Sequence, residues 1–344
     1  FLLSFLLFFS SCDKNPSSSS DSLMQKLYVC DQGSNRVVVL DASSDELLEI
    51  RTVDIDFSDM PSETPHFVAI DELNGYWFVT AYQSGFVGMY DLNEDTLIHE
   101  ISLGSESTPA LLAIDEGNKM LYVSQMMTMP MTAGGINSLY SIDYSSGELV
   151  DAGGINLTYS ENIYTFPEPH AISIDFNTYR GTSLVTASHS NNWLGITDLS
   201  NPGGITPSAY PFDESQESGV DSDFKPLDAA QKDNFIFFSC LGNTDVNIPG
   251  QVQSWSLQTV DRISTFEYGL SSKPWHIVSS PTLDEVFVVL SGSEQFEAGL
   301  SCLSYNEQGL LSEKWRTTNP SFDTFHGITI SSDGSRAYVS SRGD

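Results

Sequence analysis

His66-Phe-Val-Ala-Ile-Asp71, Tyr76-Trp-Phe-Val-Thr80 and Phe86-Val-Gly-Met-Tyr-Asp91 are three short apolar runs that follow one another with turn residues between them. Runs of this length that are rich in aromatic and β-branched residues are typical of strands. A further strand candidate, Leu97 to Leu103, completes the group. We therefore predict a repeating unit of four antiparallel strands.

The same order of strands returns along the whole chain. His66 and His326 lie 260 residues apart over five intervals, so the mean repeat is 52 residues. Four strands at this period indicate a β-propeller. Helical solenoids are excluded because no window keeps an apolar period of 3.6 residues. The further first strands are predicted at Ala110 to Asp115, His170 to Asp175, Leu227 to Ala230, His276 to Ser280 and His326 to Ser331.

The two ends of the chain decide the predicted number of blades. The first strands in the sequence, Leu27 to Cys30 and Arg36 to Asp41, match the second and third strands of a unit, and the chain stops just after a second strand, at Arg342-Gly-Asp344. We predict an all-β fold, a seven-bladed β-propeller of four-stranded blades over residues 26–344, with six or eight blades left open. We expect it to be truncated at the C-terminus, so that the ring is incomplete.

The composition restricts the partners. The 344 residues include 46 Asp plus Glu against 14 Lys plus Arg, a formal net charge of -32. This charge excludes a nucleic-acid binder, and it disfavours docking on an anionic membrane surface. With 40% hydrophobic residues the chain can bury a sizeable core.

The N-terminal segment has the pattern of an export signal. Residues 1–9 are almost wholly apolar and run through Ser10 and Ser11 into Cys12, which a polar, serine-rich stretch follows. Small residues directly before a single cysteine resemble the lipobox of bacterial lipoproteins. We predict a signal peptide over 1–12 with Cys12 lipidated, and a tether over 13–25; an ordinary secretory signal is the alternative. We expect the protein in the cell envelope, in the periplasm or at the outer membrane, held to the membrane only by this anchor.

Two segments carry a family resemblance. Phe325-His-Gly-Ile-Thr-Ile-Ser-Ser-Asp-Gly334 with Ala337-Tyr-Val-Ser340, and Leu27-Tyr-Val-Cys-Asp-Gln-Gly-Ser-Asn-Arg-Val-Val-Val-Leu-Asp41, resemble the YVTN repeat of bacterial and archaeal surface and periplasmic propellers. The chain is similar to the YVTN-repeat β-propeller lipoproteins over residues 26–344. The resemblance implies a seven-bladed propeller outside the cytoplasm and says little about activity.

Histidines mark one end of the predicted blades. His66, His170, His276 and His326 stand at the starts of four of the six first strands, which we place at one register, and His189 follows a second strand at the same end. Because first strands line the central channel of a propeller, we expect these side chains to converge at one channel mouth. His99, on an outer strand, falls elsewhere. A structural role, in which the rings hydrogen-bond between blades, stays open beside a role in binding.

A run of methionines lies on the same predicted face. Met126, Met127, Met129 and Met131 follow the second strand of the third unit. Thioether and imidazole together suit copper among the common metals, so the sequence predicts a copper site of these methionines and the five histidines at the mouth. A flexible apolar plug over the channel is the other interpretation of the methionine run.

The sequence supports two classes of function. The first is an exported, monomeric binding protein that takes a small ligand, a metal or a protein partner at the histidine-lined mouth. The second is an enzyme that uses the same face, either a copper-dependent redox protein or a lactonase-like hydrolase. The hydrolase requires a carboxylate and an arginine beside the histidines, and Arg180, Arg336 and Arg342 lie near turns or strands with no sequence signal that would place them there. We expect Cys30, Cys240 and Cys302 to be buried apolar side chains, with one disulfide left open.

Overall fold

The computed structural model describes residues 25–104, 107–126, 138–157, 168–178, 181–190, 193–200, 208–212, 224–318 and 324–342. Within these ranges the regular structure is β-sheet, apart from short 3-10 turns at Gln32–Ser34 and Thr244–Val246. No helix in this part of the chain is long and apolar enough to cross a bilayer. The predicted signal peptide and all but the last residue of the predicted tether lie outside the described residues.

The strands form seven antiparallel sheets, numbered here in chain order, and each sheet runs through consecutive strands. The chain divides into two compact units at about residue 154, which are described separately. The first unit holds the first to third sheets: β1 (Lys26–Asp31), β2 (Arg36–Asp41) and β3 (Leu48–Asp54); β4 (Pro65–Asp71), β5 (Tyr76–Ala81), β6 (Phe86–Asp91) and β7 (Leu97–Ser102); β8 (Pro109–Asp115), β9 (Met120–Gln125), β10 (Ser138–Asp143) and β11 (Val150–Asn156).

The second unit holds the remaining four sheets. The seventh has two strands in the described part of the chain, and the other three have four. In order they are β12 (Pro169–Thr178), β13 (Gly181–Ser188), β14 (Trp193–Asp198) and β15 (Ser208–Pro211); β16 (Pro226–Lys232), β17 (Phe235–Cys240), β18 (Gly250–Ser256) and β19 (Arg262–Gly269); β20 (Pro274–Ser279), β21 (Glu285–Leu290), β22 (Gly299–Tyr305) and β23 (Leu311–Thr318); β24 (Phe325–Ile330) and β25 (Ala337–Ser341).

Burial falls from the inner to the outer strands of a sheet. The second strand β5 (Tyr-Trp-Phe-Val-Thr-Ala) is buried almost throughout, whereas the fourth strand β7 alternates exposed and half-buried residues. A strand covered on both faces favours a continuous apolar run, and a half-covered strand favours alternation. This gradient explains why the sequence marks second strands most clearly.

Neighbouring sheets pack face to face through these apolar side chains. In the first unit the rings of Trp77 and Tyr90 stack at 4.0 Å between centroids, next to Val37 and Val39 of the first sheet. In the second unit Phe237 packs against residues of the sixth sheet. Fully burying a side chain of this size stabilises the fold by roughly 1.5–3 kcal/mol. The packing between sheets therefore supplies the core.

First strands of successive sheets contact one another within each unit, as β4 does with β8, β12 with β16, β16 with β20, and β20 with β24. Second strands contact the first strand of the next sheet, and β1 contacts β4 in this way. β1 thus occupies the place of a second strand, as the sequence predicts for Leu27 to Cys30.

Candidate functional site

The histidine end of each sheet is the end at which the first strand begins and the second strand finishes. All six first strands described here have a register shift close to their first residue. A bulge at such a place inserts one extra residue and turns its side chain away from the regular alternation.

One backbone hydrogen bond closes this end in six of the seven sheets. The residue after the second strand donates its N–H to the carbonyl of the residue before the first strand, at 2.8–3.0 Å. The shared bond makes the donors equivalent positions, and Met126, His189 and Arg342 are among them. The donors are Tyr82, Met126, His189, Leu241, Ser291 and Arg342, and the acceptors are Thr64, Thr108, Glu168, Lys225, Lys273 and Thr324.

The histidines of the first strands occupy two registers rather than the one predicted. His66, His170 and His326 directly follow the first residue of their strands, whereas Trp275 takes this place in β20 and His276 stands one residue further on. Pro274 pairs with the last residue of its neighbouring strand, as the first residues of the other strands do, so the offset is real. The prediction of a single register is wrong for His276, whose counterpart in the fifth sheet is Asp228.

Three histidines bind to three consecutive residues at the start of β16. The Nδ1 atoms of His189, His170 and His276 donate to the carbonyl of Pro226 (3.2 Å), the carbonyl of Leu227 (2.6 Å) and Oδ2 of Asp228 (2.9 Å), in that order. Carbonyl and carboxylate oxygens only accept hydrogen bonds, so each ring carries its proton on Nδ1. In a ring that is protonated once, Nε2 then carries the lone pair.

Both carboxylate oxygens of Asp228 accept hydrogen bonds although the residue is buried, at 8% exposed. Besides the His276 ring, Oδ2 accepts the backbone N–H of Ile277 at 3.2 Å and Oδ1 accepts that of Ala229 at 2.8 Å. Hydrogen bonds to an ionised group are worth about 1.5–3 kcal/mol each. The carboxylate thus fixes the ring of His276 and ties the sixth sheet to the fifth.

The ring of His326 completes this group. Its centroid lies 5.2 Å from that of His276 and 5.3 Å from that of Trp275. Burial, helped by the nearby His276 and Arg342, lowers the pKa of His326 to about 3. Burial, helped by His189 and His276, likewise lowers the pKa of His170 to about 3. Both imidazoles are therefore uncharged at neutral pH.

Two opposing effects act on the pKa of His189. Burial lowers the pKa of its ring, and the carboxylate of Glu168 acts in the opposite direction. The backbone fixes this pair, because His189 N donates to the carbonyl of Glu168 at 2.9 Å. Ser190 Oγ donates to the Glu168 carboxylate. The second unit therefore gathers His170, His189, His276 and His326 at the histidine end.

His66 belongs to the first unit and differs in its hydrogen bonding. Nε2 of Gln32 donates to its Nδ1 at 2.8 Å, so this ring carries its proton on Nε2 if protonated once. Its centroid lies 6.1 Å from that of Tyr82. His99, as predicted, is placed elsewhere: it stands on β7, where its Nδ1 accepts the N–H of Leu149 at 3.2 Å.

Of the predicted methionine ligands, Met126 takes the same position as Tyr82 and His189, after a second strand. Met127, Met129 and Met131 lie outside the described residues. Within the described part of the chain, no three His, Cys, Asp or Glu side chains are arranged to hold a metal ion. The copper site stays a prediction from the sequence.

The cysteines agree with the expected apolar role. Cys240 and Cys302 are buried, Cys30 is half-buried, and these three thiols are free. Cys302 Sγ donates to the carboxylate of Glu285 at 3.4 Å. Burial, then the charge of Glu285, raises the pKa of Cys302 to about 12. Cys12 lies outside the described residues.

Comparisons with known proteins decide the fold. No family model matches the sequence, and no curated protein does. The structure is similar to a putative 6-phosphogluconolactonase from Bacteroides fragilis, with TM-score 0.66, 13% identity, and coverage of 94% of this chain and 89% of that one. It is similar to a chain of the Mitotic Checkpoint Complex (TM-score 0.61, 15% identity, 100% of both chains). It also resembles the WD40 repeats of RRP9 (TM-score 0.62, 11% identity, 90% of this chain and 81% of that one).

The fold is that of a β-propeller. The seven sheets of the described chain fit the predicted count of seven blades. At 11–15% identity these similarities show the architecture only. The activity has to be inferred from the chain's own residues.

Sequence reasoning missed Asp228, Trp275 and Arg342. Aligning the strand starts on Pro226 and Pro274, rather than on the histidines, places Asp228 level with His276 and Trp275 level with His170. The same alignment on the second strands places Arg342 level with His189, at the end from which the sequence analysis left it out.

Proposed function

We propose that this chain is an exported, lipid-anchored β-propeller that binds a small ligand carrying hydroxyl groups at the histidine end. The observation that carries the proposal is the binding of three Nδ1–H groups to Pro226, Leu227 and Asp228. This arrangement orients three imidazole rings at one place, and in the uncharged ring of His170 it puts the lone pair on Nε2. Hydroxyl groups of a ligand are the natural donors to such nitrogens.

The surroundings of the acceptors support a small organic ligand. Trp275 is half-buried beside His326 and offers an aromatic surface to the apolar face of a ligand. His276 is 7% exposed and His170 is 3% exposed, so contacts made there are partly shielded from water. Ligand sites typically combine apolar walls with a few fixed polar groups.

Binding is tested with sorbitol as the probe and histidine NMR signals as the readout. We expect sorbitol to shift the signals of His170 and His276, and His276→Gln to weaken binding about tenfold, the cost of one or two lost hydrogen bonds. His99→Gln is the control, because it removes a histidine from an outer strand. Unchanged histidine signals at saturating sorbitol would contradict the proposal.

A second candidate, hydrolysis of an ester or lactone, is favoured by one further observation. The carboxylate and the arginine that this reaction needs, Asp228 and Arg342, both stand at the histidine end. The solved Bacteroides structure described above carries the name of a lactonase. For this chain, lactonase activity is a proposal.

In that reaction His276 acts as the general base. Its Nε2 takes a proton from water while the water oxygen bonds to the carbonyl carbon, and Asp228 stabilises the imidazolium. Arg342 would stabilise the negative oxygen of the intermediate. The carbon–oxygen bond of the ring then breaks, and the leaving alkoxide takes the proton back from His276.

A lactone probe separates the candidates. If the chain is a hydrolase, it accelerates opening of δ-gluconolactone above the spontaneous rate, and His276→Gln reduces the acceleration by about 10²- to 10⁴-fold. Equal rates with and without protein would leave the binding function and reject the hydrolase.

The lipid anchor is proposed from the sequence around Cys12. In cells expressing the full chain, we expect labelled palmitate to enter the protein and the protein to sediment with membranes. Cys12→Ser should abolish both. A soluble, unlabelled wild-type protein would reject the anchor.

The propellers of protein complexes among the structural neighbours make a protein partner a further proposal for the histidine end, to be tested by cross-linking in the envelope.

A further inference from the structure

Basic residues are few in this protein, and several of them stand at the histidine end of adjacent sheets. Lys225 precedes β16, Lys273 precedes β20 and Arg342 follows β25. They are three of the 14 Lys and Arg in a chain of net charge -32. We call these three cations, on the fifth, sixth and seventh sheets, the basic patch; Glu168 is the acidic residue at the same place of the fourth sheet.

The backbone holds these residues in equivalent places. The carbonyls of Lys225 and Lys273 accept the bond that closes the histidine end, each at 3.0 Å, and Arg342 donates the same bond to Thr324 at 2.8 Å. Lys225 and Lys273 adopt φ of 51° and 49°, the left-handed region that costs a non-glycine residue energy. The backbone positions of these three residues at the histidine end are therefore fixed.

Two of the three cations are open to a ligand. Lys273 and Arg342 are exposed, and neither forms an ion pair with a carboxylate in the described part of the chain. Lys225 and Arg342 act electrostatically on His189 and His326 respectively. Asp228, the carboxylate nearest to His276, is already bound by three donors.

We infer that the basic patch of Lys225, Lys273 and Arg342 makes the histidine end selective for anionic ligands, such as hydroxycarboxylates. The neutral imidazoles accept hydrogen bonds from ligand hydroxyls, and the cations take the negative group. The remaining surface, with its strong negative charge, repels the same ligands. The inference rests on the proposed function, since it names the class of ligand for that site.

Gluconate and sorbitol are matched probes, because they share a polyhydroxylated chain and differ in the carboxylate. We expect gluconate to bind about threefold to tenfold tighter than sorbitol at low salt, the range that exposed charges supply. The preference should shrink at high salt, since screening weakens exposed charge pairs. Lys273→Gln with Arg342→Gln should bring the two affinities together.

The control is Arg336→Gln, which removes an arginine from the opposite end of the same two-stranded sheet and should keep the preference. Equal affinity of the wild type for both probes, or a preference that survives the double substitution, would overturn the inference and leave the binding function intact. Failure of both probes to bind would overturn the proposed function and the inference with it.

Discussion

Nδ1 of His276 donates to Oδ2 of Asp228 over 2.9 Å, and this bond joins the first strands of the sixth and fifth sheets. Both residues stand at the same register of neighbouring first strands. The bond serves two purposes, since it links two sheets and fixes the tautomer of a ring at the proposed site.

Replacing the carboxylate tests the first purpose. Asp228→Asn should destabilise the fold by about 1–3 kcal/mol, because an amide oxygen cannot serve all three donors. Urea unfolding of the two proteins measures the difference. A double-mutant cycle with His276→Gln should give a coupling of about 0.5–3 kcal/mol. Asp245→Asn, at an exposed position of the 3-10 turn between β17 and β18, is the control, and a zero coupling would contradict the assigned bond.

Acid should destabilise the fold through its neutral histidines. The folded pKa of His170 and of His326 is about 3, against an ordinary value of 6.5. As the pH falls below 6.5 the unfolded chain takes up these protons first, so stability is lost between about pH 6.5 and pH 3. At about pH 4.5 the loss should be roughly 1–3 kcal/mol for each histidine.

Unfolding at neutral pH and at about pH 4.5 measures that loss. A variant with His170→Gln and His326→Gln should show a flatter dependence over this interval. Hydrogen bonds from serines lower the pKa of exposed carboxylates such as Asp198 and Asp333. These groups therefore titrate below the interval that is measured, and they affect both proteins alike. Parallel curves for the two proteins would show that the rings are not held neutral.

A comparison of two glycines distinguishes the cost of backbone strain from the cost of steric crowding. Gly85 (φ 76°) and Gly75 (φ 78°) both adopt the left-handed region. A Cβ at Gly85 would lie 2.5 Å from the carbonyl oxygen of Gly104, whereas none of the other described atoms lies within 4 Å of one at Gly75. Gly75→Ala should cost about 1 kcal/mol, and Gly85→Ala should cost more. Equal melting temperatures for the two variants would contradict the close approach.

The buried thiols should be unreactive in the folded protein. Burial raises the pKa of Cys240 and of Cys302, so little thiolate forms near neutral pH. A thiol reagent should label both only after denaturant is added, as peptide mass analysis can measure. Rapid labelling of Cys302 in the native state would contradict its burial.

The sequence predicts the sheets well because burial acts on every strand residue. The predicted strand Phe86 to Asp91 has the bounds of β6, and the apolar runs of all six first strands are found. The site is harder to predict from the sequence, since the pairing of His276 with Asp228 depends on a one-residue offset between sheets. Spacing of histidines alone cannot reveal that offset, because Trp275 fills the place at which the pattern expects a histidine.

The tautomers of the histidine rings test the central claim most directly. Long-range proton–nitrogen NMR spectra of the protein with ¹⁵N-labelled histidine distinguish a protonated ring nitrogen from one with a lone pair. We predict that His170, His189 and His276 carry the proton on Nδ1, and that their Nε2 signals move when sorbitol is added. Rings protonated on Nε2, or Nε2 signals that stay unchanged with sorbitol, would contradict the account of this site.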